Sequence, residues 1–369
     1  MLGDLPKRLP GLDYQGLGRN RNRRHLTCLH QGRSQPAGQV DQADNQRGYR
    51  TDAEIEADMA RDPLPRLKAY VVPRFMSGAE WMALEAEVQE TVDVALAAAR
   101  ARPAPTGEGV AQFVYADPSP DVPDAFGGLS RAERDALHGT DTPSEDGDKL
   151  RFAEAVRRTL ARELEVNPKV LVFGEDVGRK GGVHLVTEGL QRRFGESRVF
   201  DTSLSEEGIV GRSAGMAFAG LMPVAEIQFR KYADPATEQI NDCGTLRWRT
   251  HNRFAAPMVM RMPVGYLKTG DPWHSQMNEV QFIHSPGWKV AMPSNAADAV
   301  GLLRTALRGD DPVMFLEHRA MMDAAWARRP YPGDAYMLPF GRAAVTMAGQ
   351  DVTVVAWGAM VERAEQATT

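Results

Sequence analysis

The chain has 369 residues, of which 43% are hydrophobic, and a formal net charge of -5 at pH 7. That length allows two or more domains, and the apolar fraction is ordinary for a soluble globular protein. No basic stripe runs through the body and no apolar run approaches the ~20 residues that span a bilayer, so neither nucleic acid nor a membrane is expected as a partner.

No charged-then-apolar signal peptide opens the sequence, which points to the cytoplasm. Cys28 and Cys243 are far apart and fit no metal or redox spacing. Cys243 reads as a small core residue.

Residues 1–48 are rich in Arg, Gln, Asn and Gly, with Arg19-Asn-Arg-Asn-Arg-Arg24 as the extreme. Without apolar periodicity such a segment cannot offset its ordering entropy. Three readings stand open: an arm for an acidic partner, a mitochondrial presequence (weakened by Asp4 and Asp13), and an out-of-frame start. His25, Cys28 and His30 lack a second pair of ligands, so no metal is expected there.

Order is predicted from Tyr49. Thr51-Asp-Ala-Glu54 and Ser77-Gly-Ala-Glu80 have capping-box spacing before two helices. The second helix carries Trp81, Leu84, Val88, Val92 and Leu96 on one stripe and stops at Pro103. Residues 49–116 form a helical segment. Residues 117–148, rich in Pro, Gly, Asp and Ser, read as a linker.

An α/β domain is predicted over 149–330. Phe152, Val156, Leu160 and Leu164 mark a core-facing helix. Strands follow at Val170–Phe173, Val199–Phe200, Pro223–Phe229, Met258–Met262, Lys289–Met292 and Pro312–Leu316. Helices are expected over Leu185–Phe194, Gly208–Gly220, Pro235–Trp248 and Ala296–Leu307. Such alternation argues for a mostly parallel sheet covered on both faces. Beyond Arg329-Pro-Tyr-Pro-Gly333, residues 331–369 look like the start of a second α/β domain. Its first strands would be Arg342–Met347 and Val352–Trp357, with a helix from about Ala359.

Several polar residues sit at the carboxyl ends of these strands, where open α/β sheets place ligands. They are Glu175, Glu206, Gln228, Tyr232 and His274. Singly, each has a bland reading: a carboxylate on a helix dipole, a core aromatic, a loop histidine. The Gly178–Gly182 stretch with Arg179 and Lys180 lacks the ending of a P-loop and the spacing of a Rossmann fingerprint.

Taken together, five motifs carry a resemblance. They are Phe173-Gly-Glu-Asp-Val177, Asp201-Thr-Ser-Leu-Ser-Glu206, Gly220-Leu-Met-Pro-Val-Ala-Glu-Ile-Gln228, His274-Ser-Gln276 and Pro286-Gly-Trp-Lys-Val290. From about Leu150 to Met360 the chain resembles the β subunit of the thiamine-diphosphate-dependent E1 component of 2-oxoacid dehydrogenase complexes. Residues 49–116 resemble the C-terminal tail of the E1 α subunit, as in a fused α–β enzyme.

The resemblance implies a transketolase-like pyrimidine-binding fold, decarboxylation of a 2-oxoacid, and acyl transfer to the lipoyl group of E2. By the same resemblance Glu206 and His274 are catalytic. Glu206 would hydrogen-bond N1′ of the aminopyrimidine, and His274 would act in acylation of the lipoyl group. Glu175, Leu204, Gln228 and Tyr232 would bind the cofactor, Leu204 through its carbonyl and Tyr232 as an aromatic wall. Arg308-Gly-Asp-Asp-Pro312 resembles a loop that in relatives holds potassium through backbone carbonyls. Glu226-Ile-Gln-Phe229 and Tyr232 lean to branched-chain substrates, with pyruvate as the other option.

The family's magnesium and diphosphate motif, Gly-Asp-Gly followed about thirty residues later by Asn, belongs to the α portion and is not found here. The expectation is therefore a partial chain, inactive by itself and part of a homo- or hetero-oligomer. Another thiamine enzyme of transketolase or deoxyxylulose-phosphate synthase type is the alternative. A non-catalytic half-site that only associates with E1 or E2 subunits is the second.

Overall fold

The computed structural model describes residues 49–104, 106–116, 127–268 and 272–368. The segment 1–48, with its three readings, lies outside them, as do Gly270 and Asp271. The chain divides into two compact units, residues 1–104 and 105–369.

The first unit is helical: α1 (Asp52–Met59), α2 (Pro63–Val71) and α3 (Gly78–Arg100). Thr51 with Glu54, and Ser77 with Glu80, form the two reciprocal capping boxes. The Asp62 carboxylate accepts from the Leu64 N–H, with Pro63 in the first turn where its missing N–H costs nothing. On the predicted stripe of α3, Trp81 is buried whereas Leu84, Val88 and Val92 stay exposed.

In the second unit a 3₁₀ turn (Gly107–Ala111) precedes a short helix, α4 (Arg131–Ala136), and the strand β1 (Lys149–Leu150). Then α5 (Phe152–Val166), β2 (Val170–Gly174), α6 (Leu190–Phe194), β3 (Val199–Asp201) and α7 (Glu206–Phe218) follow. Next come β4 (Met222–Glu226), α8 (Thr237–Arg249), β5 (Val259–Val264), α9 (Val280–Ile283) and β6 (Lys289–Ala291). The unit ends with α10 (Ala296–Leu307), β7 (Val313–His318), β8 (Arg329–Pro330) and α11 (Met360–Thr368).

Six strands form one parallel sheet in the order β3-β2-β4-β5-β7-β6. Helices α5 and α10 cover one face, packing Phe152, Val156, Leu160, Leu303 and Leu307 against it. On the other face Ile209, Val210 and Ile240 meet Met260 and Met262. Both faces are thus apolar, which is why β4 and β5 are buried along their whole length.

The strand order reverses at β2. From there the chain adds β3 on one side and β4 on the other. A crevice therefore opens between the carboxyl ends of β2 and β4, the place where doubly wound sheets hold ligands.

Three expectations change. The helix predicted over Leu185–Phe194 is reduced to α6, because Leu185 and Gly189 adopt positive φ. The Thr187 hydroxyl instead donates to the Val177 carbonyl, folding the glycine loop over β2. Residues 342–347 and 352–357 form no strand. Val345, Val352 and Val355 lie exposed with no neighbouring strand to pair among the described residues, and an unpaired β pattern has no ladder. The helix expected near Ala359 is present as α11. Finally, residues 127–148, read as linker, lie against the domain: Lys169 Nζ donates to the Gly128 carbonyl, and β1 pairs with β8. Turn-rich composition serves a clamped loop as well as a free one.

Candidate active site

The crevice is built from the ends of β2, β3 and β4. Glu175 follows Gly174, where β2 stops; Gly174 has φ +154°, and a Cβ there would sit 2.4 Å from the Glu226 carbonyl oxygen. Only glycine lets the two strands approach so closely. Glu175 is buried, and its Oε1 has no hydrogen-bond partner among the described residues. Burial, with the Glu206 and Asp176 charges beside it, pushes its carboxyl up to about 7.

Glu206 opens α7, half-buried, where the helix dipole favours a carboxylate. Ser205 precedes it as the N-cap but makes no side-chain cap bond; its hydroxyl donates to Glu207 instead, at 3.0 Å. Leu204, one residue earlier, is 82% exposed at the lip. Thr202 Oγ1 is buried without a partner among the described residues. Gln228, after β4, donates to the Asp176 carboxylate at 3.2 Å and to the Glu175 carbonyl at 3.5 Å. It thereby spans the switch point.

On the far side of the crevice Tyr232 lies in a 3₁₀ turn, Arg230–Ala236, that packs against α7 and against the turn Pro272–His274. The Tyr232 hydroxyl meets His274 Nε2 at 3.0 Å. Phe229 lies tilted against the imidazole with ring centres 4.2 Å apart. The structure thus joins Glu175 to Gln228 and Glu206, and Tyr232 to His274.

The layer below the site is not among the residues expected from the sequence. Arg261, in the middle of β5 and fully buried, donates to both oxygens of Glu317 at 2.7 and 2.9 Å and to Glu226 at 2.8 Å. Burial works against its charge, but Glu317 and Glu226 hold its pKa raised. A lone arginine in Met-Val-Met-Arg-Met was the available signal: such a residue must be paired. His184 was missed too. Burial, then the Arg319 and Arg261 charges, pushes it down to about 4, so it stays neutral.

Comparison with known proteins decides the family. The pyrimidine-binding domain of transketolase matches residues 148–323. The β subunit of 2-oxoisovalerate dehydrogenase from Pseudomonas aeruginosa is 41% identical over 233 residues, 59% of this chain and 67% of that one. The chain belongs to the E1 β-subunit family of 2-oxoacid dehydrogenases.

Other E1 β subunits are similarly related. The 2-oxoisovalerate dehydrogenase β subunit of Bacillus subtilis is 42% identical over 219 residues, covering 59% of this chain and 66% of the relative. The pyruvate dehydrogenase E1 β subunit of Acholeplasma laidlawii gives the same identity and coverage. The chain therefore spans about two thirds of the length of these E1 β relatives.

Proposed function

We propose that this chain supplies the pyrimidine half of a thiamine diphosphate site in an E1-type enzyme that decarboxylates a 2-oxoacid and passes the acyl group to the lipoyl group of E2. The observation that carries it is the pair of carboxyls at the switch point, Glu206 at the start of α7 and Glu175 held near 7 beside it.

The residues present fit an aminopyrimidine. Glu175 Oε1 and Thr202 Oγ1 are buried with no partner among the described residues, which is costly unless a ligand supplies one. When bound, thiamine diphosphate supplies the carbon nucleophile and the electron sink for decarboxylation. The chain's own part is proton control and orientation. Glu206 holds a proton at the ring nitrogen N1′, Leu204 offers its carbonyl to the ring amine, and Tyr232 walls the ring. Glu175, pushed up to about 7, lies beside Glu206, and Gln228 fixes the backbone that carries Glu175. His274, oriented by Tyr232, serves the acylation of the lipoyl group.

Magnesium and the diphosphate belong to an α-type portion in this reading. Potassium does not fit the loop at Arg308–Pro312. Its Arg308 carbonyl accepts from Arg134 at 3.2 Å and its Asp310 carbonyl from Arg247 at 2.6 Å, so protein cations already serve those oxygens.

Leu204, Tyr266, Leu267 and Trp273 expose between 42% and 82% of their surface around the site, which supports a covering subunit and hence an oligomer with E1 and E2 partners. No helix among the described residues is long and apolar enough to cross a membrane. The cytoplasm is the proposed compartment. Branched-chain 2-oxoacids are the favoured substrates, because Glu226-Ile-Gln-Phe229 and Tyr232 resemble that subgroup.

Mixing the chain with an E1 α subunit, magnesium and thiamine diphosphate tests the reading. Carbon dioxide release from 2-oxoisovalerate, faster than from pyruvate, is expected with an artificial electron acceptor. Stable assembly with E1 or E2 subunits and no turnover would overturn it in favour of a non-catalytic half-site.

A further inference from the structure

Arg319 stands apart from the other arginines around the crevice. It follows β7 directly, in a short turn capped by the His318 ring, whose Nδ1 accepts the Ala320 N–H at 3.2 Å. Among the described residues its guanidinium meets no carboxylate. It donates to the His274 carbonyl at 2.5 Å and lies 5.2 Å from the centre of the Phe229 ring. Its Nε is buried without a partner. A half-buried cation with no counter-charge contributes little to stability, so its placement calls for another reason.

The surroundings supply one. His274 lies in the long loop after β5. The base of that loop is closed where the Gly265 N–H donates to the Gln276 carbonyl at 3.1 Å. Gly265 has φ +77°, and a Cβ there would lie 2.4 Å from His318 Nε2, so the loop base is pressed against the residue preceding Arg319. Arg319 then reaches the main chain of His274 itself, while Phe229 presses on the imidazole at 4.2 Å and Tyr232 holds Nε2 at 3.0 Å. The backbone is held from the end of β7, and the ring face and ring nitrogen from the turn that carries Phe229 and Tyr232.

We propose that Arg319 is a positioning residue for His274: it fixes the histidine's main chain from the end of β7 and presses Phe229 against the imidazole. Loss of Arg319 frees the histidine without touching Glu175 or Glu206. In the E1 reading, on which the functional consequence rests, that separates the two half-reactions. Decarboxylation measured with an artificial electron acceptor persists, whereas acyl transfer to a lipoyl domain falls.

The test uses the full chain and the variants Arg319→Met and Arg319→Lys. Modification by diethyl pyrocarbonate is followed with mass mapping of each histidine. His274 is expected to react several-fold faster in Arg319→Met and nearer the wild-type rate in Arg319→Lys, which retains a donor. The exposed His251 and His284 serve as internal references and keep their rates. An unchanged His274 rate in Arg319→Met overturns the proposal, as does a uniform rise across all histidines, which signals general loosening. If His274 alone responds but the wild type with an α subunit turns over no 2-oxoacid, the positioning role stands and the E1 reading fails. If both activities are present and Arg319→Met lowers them equally, the separation of half-reactions is wrong.

Discussion

Glu175 is a buried acid beside two other carboxylates, and this has a cost that pH reveals. Its carboxyl ionises near 4.5 in the unfolded chain and at about 7 in the folded one. Between those values the folded state holds the extra proton, so this residue's contribution falls as pH rises through the window and levels off above it. Thermal melts of Glu175→Gln and wild type should therefore converge at pH 4.5 and diverge towards pH 7, with the variant gaining. Parallel curves would mean that Glu175 is not held protonated. His184 has the opposite sense. It goes from 6.5 to about 4 on folding, so stability is lost as pH falls through that window. His184→Phe should remove the loss, and its melting temperature should drop less than the wild type's between pH 7.5 and pH 5. Neither residue's pKa was legible in the sequence. Glu175 could be placed at a strand end, but its ionisation depends on Glu206, which comes from a different strand–helix junction.

Among the elements, β4, β5 and β7 are held in register beneath the site by Arg261 and its two glutamates. Removing the guanidinium in Arg261→Met strands two buried carboxylates, and chemical denaturation should show a loss of about 3–5 kcal/mol. A change within experimental error would mean that one glutamate is already neutral and the network matters little. Exposed caps should matter less: Ser77→Ala, which leaves donors of the first turn of α3 unsatisfied, should cost about 1 kcal/mol. The caps were readable because they are local, needing only Ser or Thr and a Glu three positions on. So was α10, whose bounds match the apolar spacing from Ala296 to Leu307. The Arg261 network was not readable, because β4, β5 and β7 meet only in the sheet. The strands expected at 342–347 and 352–357 failed for the same reason in reverse: a β pattern states a preference, and the partner decides whether a ladder forms.

For the whole molecule, the sheet order places every candidate residue at one edge, on segments far apart in sequence. Five family motifs make that edge recognisable in the sequence, and the relatives support the same family. Leu204, Tyr266 and Trp273 are exposed, and the proposed covering subunit would seat on them. In the proposed reading Glu206 controls the proton on a bound aminopyrimidine. The most direct measurement compares wild type and Glu206→Gln, each assembled with an E1 α subunit, magnesium and thiamine diphosphate, by carbon dioxide release from 2-oxoisovalerate. A fall of about 10²–10⁴-fold is expected in the variant, with folding and assembly unchanged. Near-normal turnover by Glu206→Gln would contradict it.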